Sequence, residues 1–310
     1  MATVFVTGPT GVLGRGTMER LVAQGHRVRA LARNAERAAV ISAMAAEPVV
    51  ADIYDTAAMT RALAGADSLL HLATRIPPLS RARQASAWAD NTRLRAVGTK
   101  VLVDAALAAG VGRVVAESIT FIYRDGGSEW LDERSPVKAT AGLQSVVTLE
   151  DEVARFTSEG GVGITLRFGL FYGPDARGTD EYLKTAARGV APVLGPPDGY
   201  MSSIHTSDAA RAVVDSFGAP AGVYNVVDDV PLTRREYVDA FARAFGFRRL
   251  RFTPSPVVRA LGGAAARALL RSQRVSNRAL RKATLWVPAI PSAVEGWAAV
   301  AATRREASSV

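Results

Sequence analysis

Three glycines, placed directly after a short apolar run, constrain the fold of this chain more than any other feature. The run Val4–Thr7 is rich in β-branched and aromatic residues and leads into Gly8, Gly11 and Gly14, after which a helix-forming stretch begins. In a strand–turn–helix unit with this spacing, the first glycine permits a tight turn. The second removes a Cβ where a ligand approaches, and the third allows close helix–strand packing. The helix N-terminus then offers unpaired N–H groups to phosphates. The pattern predicts a phosphate-binding turn, and a turn that simply requires glycine is the alternative.

The next 150 residues alternate strand and helix patterns, which favours a parallel sheet covered by helices on both faces. The predicted strands are Thr3–Thr7, Arg27–Ala32, Pro48–Val50, Ser68–Ala73, Arg113–Glu117 and Gly163–Phe168. The predicted helices are Val12–Gln24, Ala35–Ala45, Thr56–Ala64, Ala89–Ala109 and Leu143–Ser158. We therefore predict an α/β fold with a doubly wound parallel sheet of the Rossmann type.

After Phe168 the alternation stops, and residues 169–199 are rich in glycine and proline. Further helices are predicted at Glu181–Arg188, Ser207–Phe217 and Arg234–Phe245, with short strands at Met201–Ile204 and Val223–Val226. We expect a dinucleotide-binding domain over residues 1–170 and a smaller C-terminal substrate lobe over residues 171–310, interleaved and not independent. Residues 298–310 are expected to be frayed.

The composition excludes several classes of protein. The 310 residues contain no cysteine, so disulfides, thiolate metal ligands and thiol catalysis are excluded, and no metal site is expected. No apolar run approaches the ~20 residues needed to span a bilayer. The predicted strand begins at once, which leaves no room for a signal peptide. These features predict a cytoplasmic protein.

The net charge of +9 is concentrated near the C-terminus. Residues 240–294 contain eleven basic residues and no Asp or Glu, so the segment carries +11 and the rest of the chain −2. Such a segment suits an anionic substrate, an acidic carrier protein or a membrane surface, or it forms a solvated helical face. Nucleic acid is not expected, because the segment lacks interleaved aromatic residues.

Residues near the predicted strand ends indicate the kind of dinucleotide. Arg33 lies nineteen residues after Gly14, where an NAD site would carry Asp or Glu, and an arginine there pairs with a 2′-phosphate. NADP(H) is therefore predicted over NAD(H), and Arg15 is expected to help. Asp52 and Ile53 follow the third strand and suit an adenine, although Asp52 could instead begin a helix.

The end of the fourth strand lies beside the glycine turn. His71 is expected to be a packed, hydrogen-bonded histidine, and Asn91 to bond backbone and so hold the fourth and fifth strands together. The residues predicted to bind the cofactor are Gly8, Thr10, Gly11, Val12, Leu13, Gly14, Arg33, Asp52, Ile53, Leu72, Ala73, Thr74, Ser118, Phe168 and Gly169.

With these residues assembled, the chain resembles the extended and atypical short-chain dehydrogenase/reductase superfamily, also called the NAD-dependent epimerase/dehydratase family. The resemblance runs almost end to end. Besides the glycine turn, it rests on Asp52-Ile53, His71–Ala73, Asn91 with Gly98-Thr99, Leu166–Pro174, Ser203–Ala210, Val223–Val226 and Leu285–Pro288. It implies the Rossmann fold and a nicotinamide cofactor. A homodimer through the fourth and fifth helices is common in this superfamily.

The chain departs from the family in its catalytic residues. Members usually act through a Ser or Thr and a Tyr-x-x-x-Lys pair, in which the lysine lowers the pKa of the tyrosine. The four lysines here are preceded at that spacing by Ala96, Arg134, Asp180 and Arg278, so the pair is absent. The usual catalytic serine aligns with Ile119, which Ser118 and Thr120 flank.

The proton donor is therefore a non-standard one, or there is none. The candidate catalytic residues are Ser118, Thr120, Tyr123 and Tyr172, with structural roles as the alternative for both tyrosines and for His205. The loop Thr74–Asp90, which carries Arg75, Arg81 and Arg83, is expected to overhang the substrate as a lid or an anion contact.

The leading hypothesis is an NADP(H)-dependent reductase or epimerase-like enzyme. Its substrate would be a small organic molecule, such as a sugar nucleotide or a secondary metabolite, and the basic segment favours an anionic one. The alternatives are an NADP(H)-binding module or sensor without catalysis, and a non-redox isomerase or cyclase that reuses the pocket.

Overall fold

The computed structural model describes residues 1–78, 81–82, 84–261 and 267–307. The strands are β1 (Thr3–Thr7), β2 (Arg27–Ala32), β3 (Glu47–Val50), β4 (Ser68–His71), β5 (Arg113–Ile119), β6 (Trp130–Leu131), β7 (Val162–Phe168), β8 (Leu170–Tyr172), β9 (Tyr200–Met201), β10 (Ser203–His205), β11 (Gly222–Val226), β12 (Leu232–Thr233) and β13 (Arg274–Val275). The helices are α1 (Val12–Ala23), α2 (Ala35–Ala43), α3 (Thr56–Leu63), α4 (Ala89–Arg93), α5 (Thr99–Ala108), α6 (Gln144–Ser158), α7 (Arg177–Ala186), α8 (Thr206–Asp215), α9 (Arg234–Phe245), α10 (Ser255–Leu261), α11 (Arg278–Ala283) and α12 (Ala293–Ala307).

The central sheet has seven strands in the order β11-β7-β5-β4-β1-β2-β3, and every neighbouring pair is parallel. The doubly wound α/β fold predicted from the sequence is confirmed. The strand order reverses direction between β1 and β4, and ligands of such sheets bind at the carboxyl ends of the strands beside that point. The glycine turn after β1 and the segment after β4 therefore flank the expected crevice.

The sheet is buried on both faces, as a parallel sheet requires. In β1, Val4 and Val6 point into a cluster with α1, α2 and α8, while Phe5 points into a second cluster with α3, α5 and α6. This alternation follows from the two-residue period of a strand. The carboxyl ends of the strands, where the site lies, are thus held by apolar cores on both faces of the sheet.

A third core belongs to the C-terminal lobe. Tyr182, Tyr237, Phe241 and Trp297 pack together between α7, α9 and α12. Helix α9 starts and ends at the predicted residues, because Thr233 and Glu236 form a capping box. It stops at Gly246, whose φ of +74° suits glycine.

The predicted fraying of residues 298–310 is wrong for the part that the structure describes. Residues up to Ala307 continue α12, and residues 308–310 lie outside the described ranges. The helix is held because Trp297 and Val300 are fully buried. Their burial depends on partners distant in sequence, which the alanine-rich stretch does not reveal.

The central sheet crosses the predicted domain boundary near residue 170. Strand β11, which the sequence analysis assigned to the smaller lobe, pairs in parallel with β7 in the main sheet. Helix α8 packs against α1, so it also covers the sheet. The chain therefore returns to the Rossmann sheet after its first excursion into the lobe.

Two motifs that carried the family resemblance contact each other. The Asp208 carboxylate on α8 accepts hydrogen bonds from the backbone N–H groups of Ala289 and Ile290, both at 2.9 Å. The indole of Trp286 donates to the Asp208 carbonyl at 3.1 Å. The Asp208 motif thus anchors the loop that precedes α12.

Some observed elements depart from the predicted ones within their length or at their ends. The predicted helix Ala89–Ala109 contains a π-helical turn at Leu94–Gly98 that joins α4 to α5. Strand β4 ends two residues early at His71, and β5 runs on to Ile119.

Among the described helices, none is both long and apolar enough to cross a membrane.

Candidate dinucleotide and substrate site

Two of the three glycines in the turn exclude any side chain. Gly8 has a φ of +74°, and a Cβ there would lie 2.7 Å from the backbone of Leu72 and Ala73. A Cβ on Gly14 would lie 2.1 Å from the carbonyl oxygen of Gly8. The turn therefore packs its own backbone against the end of β4.

Gly11 is less crowded, because only one backbone atom lies close to the position of its missing Cβ. It is the N-cap of α1 in an extended conformation, and a Cβ there would meet only the Gly8 oxygen, at 3.3 Å, in the described structure. No described side chain caps this helix end. The turn thus offers backbone N–H groups and an uncrowded approach, which suits a dinucleotide pyrophosphate.

The other predicted cofactor residues on this side lie around the same turn. Leu72 follows β4 and donates its N–H to the Thr7 carbonyl at 3.2 Å. Leu13 and Leu72 are buried, so only their backbones are available to a ligand. The half-buried residues are Thr10, Val12, Ala73 and Thr74.

The ends of β2 and β3 carry the residues predicted to contact the adenosine half. Arg33 follows β2 directly, Arg15 lies in the first turn of α1, and both side chains are exposed. The alternative that Asp52 begins a helix is wrong, since Asp55 caps α3 by accepting from the Ala58 N–H at 2.9 Å. Asp52 instead accepts from the Tyr54 N–H at 3.0 Å. Its partner in the motif, Ile53, is half-buried against the core.

His71 is a packed histidine, as the sequence predicted. Its Nδ1 lies 2.8 Å from the Thr7 hydroxyl and its Nε2 lies 3.1 Å from the Thr99 hydroxyl. Burial, together with the charge of Arg95, lowers the pKa of His71 to about 3. The ring is therefore neutral and links β1, β4 and α5.

Asn91 was predicted to link the fourth and fifth strands, and the structure shows its contact with the chain after the fourth strand. Its side-chain oxygen accepts from the Arg75 N–H at 2.8 Å, which fixes the chain after β4. The predicted bond from Asn91 to the fifth strand is not among its described contacts. A different side chain makes the link to that strand: Arg95 pairs with Glu117 of β5 at 3.1 Å, with both side chains buried.

A chain of polar side chains, here called the polar network, runs beneath the carboxyl ends of β5 and β7. Its members are Ser118, Glu150, Arg167, Tyr123 and Asn225. The Ser118 hydroxyl donates to Glu150 at 2.6 Å, and Arg167 donates to both oxygens of Glu150 at 2.8 and 2.6 Å. Arg167 also donates to the Tyr123 hydroxyl at 2.8 Å, which in turn donates to Asn225 at 2.8 Å.

The four candidate catalytic hydroxyls are all buried. Ser118 and Tyr123 are 0% exposed, and Thr120 and Tyr172 are 1% exposed. Burial raises the pKa of Tyr123 to about 12, despite the nearby charge of Arg167. Burial and the neighbouring Asp228 also raise the pKa of Tyr172. Both phenols are therefore protonated at neutral pH.

Tyr172 lies inside the C-terminal lobe. Its ring contacts the rings of Trp297, His205 and Tyr237 at centroid distances of 5.1, 5.4 and 6.2 Å. His205 caps α8 and its Nδ1 lies 2.7 Å from the Ser207 hydroxyl. At the nearby end of β7, Phe168 is fully buried, and a Cβ on Gly169 would lie 2.7 Å from the Ser202 oxygen.

The start of α6, where the family's Tyr and Lys would lie, is apolar. Leu143 and Val146 are buried there with Ile122 and Ala268, and Ile119 and Phe121 are packed against them. We call this set the apolar wall. It forms a small buried cluster beside the end of β5.

Sequence reasoning missed Glu150, Asn225 and the Arg95–Glu117 pair. Burial raises the pKa of Glu117, although Arg95 opposes this. The signals were weak: a glutamate on an amphipathic helix and charged residues within apolar segments. Arg167 lies in the motif Leu166–Pro174 that supported the family resemblance, but nothing in the sequence indicated its partners.

The arginine-bearing loop is only partly described. Arg75 pairs with Asp90 at 2.7 Å, and both side chains are exposed. Arg81 is exposed, while Arg83 lies outside the described residues. Within the described ranges, no three His, Asp or Glu side chains converge to hold a metal ion.

Comparisons with known proteins agree with this geometry. A family profile described as NAD(P)H-binding matches residues 8–151. A Streptomyces sp. protein named 3-diazoavenalumate denitrifying reductase is 34% identical over 304 residues, which cover 94% of this chain and 98% of that protein. A Stigmatella aurantiaca protein named 4-hydroxy-2-methyl-3-oxo-4-farnesyl-3,4-dihydroquinoline-1-oxide ketoreductase is 35% identical over 122 residues, or 39% of this chain and 35% of that protein.

Solved structures share the fold at lower identity. The human epimerase family protein SDR39U1 with NADPH superposes with a TM-score of 0.82 at 22% identity, over 97% of this chain and 99% of that one. MoeE5 in complex with UDP-glucose and NAD gives a TM-score of 0.79 at 21% identity, over 98% and 99% of the two chains.

The parallel sheet, the glycine turn and the crevice beside it define an α/β protein that binds a nicotinamide dinucleotide, NAD(P)H. The 34% identity across nearly the whole length of both chains shows its family. The protein belongs to the extended short-chain dehydrogenase/reductase family, also known as the NAD-dependent epimerase/dehydratase family. It is an NAD(P)-dependent oxidoreductase- or epimerase-like enzyme.

Proposed function

We propose that this protein is an NADP(H)-dependent reductase of a small organic electrophile whose reduction needs no proton from the protein. One observation carries the proposal. All four hydroxyls that could replace the missing Tyr-x-x-x-Lys pair are buried, and the start of α6 is apolar. A catalytic acid has to come within hydrogen-bond reach of the substrate, and these four side chains are held away from solvent.

The polar network gives Ser118 and Tyr123 a different task. The Ser118 hydroxyl donates to Glu150, and the Tyr123 hydroxyl donates to Asn225. Buried polar groups need such partners, because leaving one unsatisfied costs about 1–3 kcal/mol. We assign both residues to positioning the ends of β5 and β7, and Tyr172 to packing in the lobe.

The Streptomyces relative suggests the substrate class. Its printed name describes a diazo substrate and a reduction that removes nitrogen. When bound, a reduced nicotinamide supplies a hydride. A diazonium carbon that accepts this hydride gains a C–H bond while its C–N bond breaks, and the two nitrogens leave as N₂ with that bond's electron pair. The substrate is reduced by two electrons, and no proton enters the balance.

This class explains the missing acid better than a sugar nucleotide does. Reducing a carbonyl leaves an alkoxide that must be protonated, whereas a departing N₂ carries no charge. The sugar-nucleotide proteins resemble this chain in fold alone, at about 20% identity. The relative named as a reductase matches 94% of the chain at 34% identity.

Residues around the glycine turn support NADP(H) as the cofactor. We propose that the backbone of Gly8–Gly14 holds the pyrophosphate, that Arg33 and Arg15 bind the 2′-phosphate, and that Asp52 and Ile53 contact the adenine. Both arginines are exposed beside the turn, and no carboxylate follows β2 directly to receive a free ribose hydroxyl. Of the remaining predicted contacts, Leu72–Thr74, Phe168 and Gly169 would line the nicotinamide half, whereas the Ser118 hydroxyl is held by Glu150 in the polar network.

The test is to mix the purified protein with NADPH and a stable arenediazonium salt. We expect faster loss of NADPH absorbance than in a protein-free control, together with release of N₂. With NADPH deuterated at the nicotinamide C4, deuterium should appear on the ring carbon that held nitrogen. In deuterated water with ordinary NADPH, that carbon should gain no deuterium.

A Gly11→Asp variant is the matched control. Because a Cβ at Gly11 would require only a small shift of the Gly8 carbonyl, the variant should fold, while its carboxylate repels the phosphates. Tight NADPH binding by the natural protein with no reduction of any diazonium or carbonyl substrate would overturn the proposal and favour the NADP(H) sensor or a non-redox reaction. Deuterium entering from water would show that a proton is transferred after all.

We also propose a homodimer through the outer faces of α5 and α6. These helices are joined by the ion pair of Arg155 with Asp104 at 2.6 Å, and Val97, just before α5, is 47% exposed. Light scattering coupled to size-exclusion chromatography tests this directly. A single monomeric species whose mass is unchanged by Val97→Asp would contradict it.

A further inference from the structure

The stretch that follows the undescribed residues 262–266 returns to the carboxyl edge of the sheet. Arg271 and Gln273 both donate to the Tyr123 carbonyl, at 2.8 and 2.9 Å. The Gly126 N–H donates to the Ser272 carbonyl at 2.8 Å. The segment 267–277 is thereby tied to the loop that follows β5, on the same edge as the glycine turn.

A cavity of about 370 Å³ lies between this segment and that loop. Its lining residues are Asp125, Arg267, Leu270 and Arg271. Arg267 is exposed, Arg271 is half-buried and Leu270 is buried. The volume is within the range of small-molecule sites.

The charge around this cavity is positive. In the described part of the chain, neither Arg267 nor Arg271 has a carboxylate within ion-pair distance. The opposing Asp125 already accepts the backbone N–H groups of Gly127 and Ser272, at 3.1 and 3.2 Å. One carboxylate thus faces the two lining guanidinium groups, and the buried guanidinium of Arg234 also interacts with Asp125.

A third arginine, Arg234, binds the backbone of the segment that lines the cavity. Arg234 is 2% exposed and donates to the carbonyls of Leu269 and Arg271, at 2.8 and 2.5 Å. These bonds hold the backbone at Leu269 and Arg271, and the Arg271 guanidinium also donates to the Tyr123 carbonyl at 2.8 Å. A guanidinium group that is already held in place loses less conformational freedom when it binds a planar anion.

The segment that lines the cavity is anchored by two buried apolar clusters. Ala268, which lies between the arginine positions, packs into the apolar wall with Leu143 and Val146. Leu270 is buried against Val258 and Leu194. The cavity itself is thus lined mainly by charged side chains, which favours a ligand with an anionic group.

We propose that Arg267 and Arg271 form a carboxylate-binding subsite, and that the substrate is an organic carboxylate. The inference rests on the proposed function for its location, since it deepens the description of the same crevice. Asp125 lies among the lining residues and would repel a phosphate dianion more strongly than a carboxylate monoanion. Arg267 and Arg271 would contact the ligand, and Arg234 is a positioning residue.

The test is calorimetric titration with three small probes, with and without saturating NADP⁺. Cinnamate carries the carboxylate, cinnamamide is its neutral counterpart, and phenyl phosphate is a dianion. Cinnamate should bind at least about tenfold more tightly than cinnamamide, as expected for charge-assisted hydrogen bonds. Arg267→Ala should remove this preference and leave cinnamamide binding unchanged.

Arg243→Ala is the matched control, because Arg243 is an exposed arginine on α9 of the same lobe and does not line the cavity. Since Arg271 also bonds Tyr123, Arg267 gives the cleaner variant, and Arg271→Lys retains the charge if Arg271→Ala fails to fold. Equal binding of cinnamate and cinnamamide would overturn the subsite. Tighter binding of phenyl phosphate than of cinnamate would replace the carboxylate with a phosphorylated ligand and so overturn this assignment.

The titration needs no turnover, so the two proposals fail separately. Cinnamate selectivity that depends on Arg267, without diazonium reduction, would leave the subsite and remove the reaction. Diazonium reduction that is unaffected by Arg267→Ala, with no cinnamate selectivity, would support the reaction and overturn the subsite.

Discussion

At the carboxyl end of β1 the protein excludes side chains, whereas at the ends of β5 and β7 it packs them into a hydrogen-bonded network. Gly8 and Gly14 press backbone on backbone, and Gly11 leaves space for a ligand. On the other side, Glu150 bridges Ser118 and Arg167. At the glycine turn the backbone is accessible to a ligand, whereas at the ends of β5 and β7 side chains fill the space.

This difference explains which part of the site can be predicted from the sequence. A backbone site depends on residues that lack a Cβ, so its spacing is visible along the chain. A side-chain network depends on partners that are dozens of residues apart and meet only in the fold. The four predictions below test the comparison, beginning with the largest expected effect.

Gly14→Ala should destabilise the protein by about 4 kcal/mol, because the new Cβ would fall 2.1 Å from the Gly8 oxygen. This loss exceeds the roughly 1 kcal/mol that alanine usually gains over glycine in a helix. Gly11→Ala should unfold at nearly the natural urea concentration, yet bind NADPH at least tenfold more weakly. Urea unfolding and NADPH titration measure the two effects. If Gly11→Ala bound NADPH normally, the open space would not be a phosphate site.

Glu150→Gln should cost about 3 kcal/mol of unfolding free energy, because it leaves the buried Arg167 guanidinium without its counter-charge. Glu152→Gln on the same helix is the control. Glu152 pairs with the partly exposed Arg155, and such a pair contributes at most about 1 kcal/mol. Equal losses in the two variants, measured by urea unfolding, would show that the polar network is no stronger than a surface pair.

Arg33→Glu should weaken NADPH binding by about 2 kcal/mol, or roughly thirtyfold, because it removes a charge-assisted contact to the 2′-phosphate. NADH binding should not weaken, since NADH carries no such phosphate and the new carboxylate can accept from its free ribose hydroxyls. The ratio of the two dissociation constants is the measurement. Arg37→Glu, one turn into α2, serves as the control for a change in local charge. A similar loss for both cofactors would place Arg33 outside the 2′-phosphate site.

His71 should make stability depend on pH. Its pKa is lowered to about 3 in the fold from 6.5, so the unfolded chain binds more protons between these values. Stability should therefore be complete above about pH 6.5 and fall on acidification towards pH 3, by up to about 1.4 kcal/mol per pH unit. His71→Gln should be less stable near neutral pH but show a flatter slope between pH 6.5 and 5 in urea unfolding. An unchanged slope would assign the acid sensitivity to other groups.

The sequence predicted most of the sheet because its local signals agree with its packing. β1, β2 and α9 match their predicted bounds, since apolar alternation and a capping box are local features. The π-helical turn at Leu94–Gly98 could not be predicted, because it accompanies burial of Arg95 against Glu117 on a distant strand. Helix α12 was missed for the same reason, since Trp297 finds its partners only in the lobe.

The candidate site divides in the same way. The glycine turn was recognised from spacing alone, and Asp55 rather than Asp52 proved to be the helix cap. The candidate hydroxyls were correctly placed near the strand ends, but burial cannot be read from residue type. Whether a tyrosine faces a crevice or a core depends on its neighbours, and for Tyr172 these are Trp297 and Tyr237.

The return of β11 to the central sheet sets a rule for recombining this enzyme with its relatives. A chimaera cut once after residue 170 would exchange an edge strand and helix α8 together with the lobe, and would force foreign side chains against β7 and α1. Residues 278–290 also belong to the sheet side, because Leu280 and Trp286 pack in its core and Asp208 binds the backbone of Ala289. Crossovers that leave residues 203–228 and 278–290 in place together would exchange the lobe and keep the sheet with its covering helices.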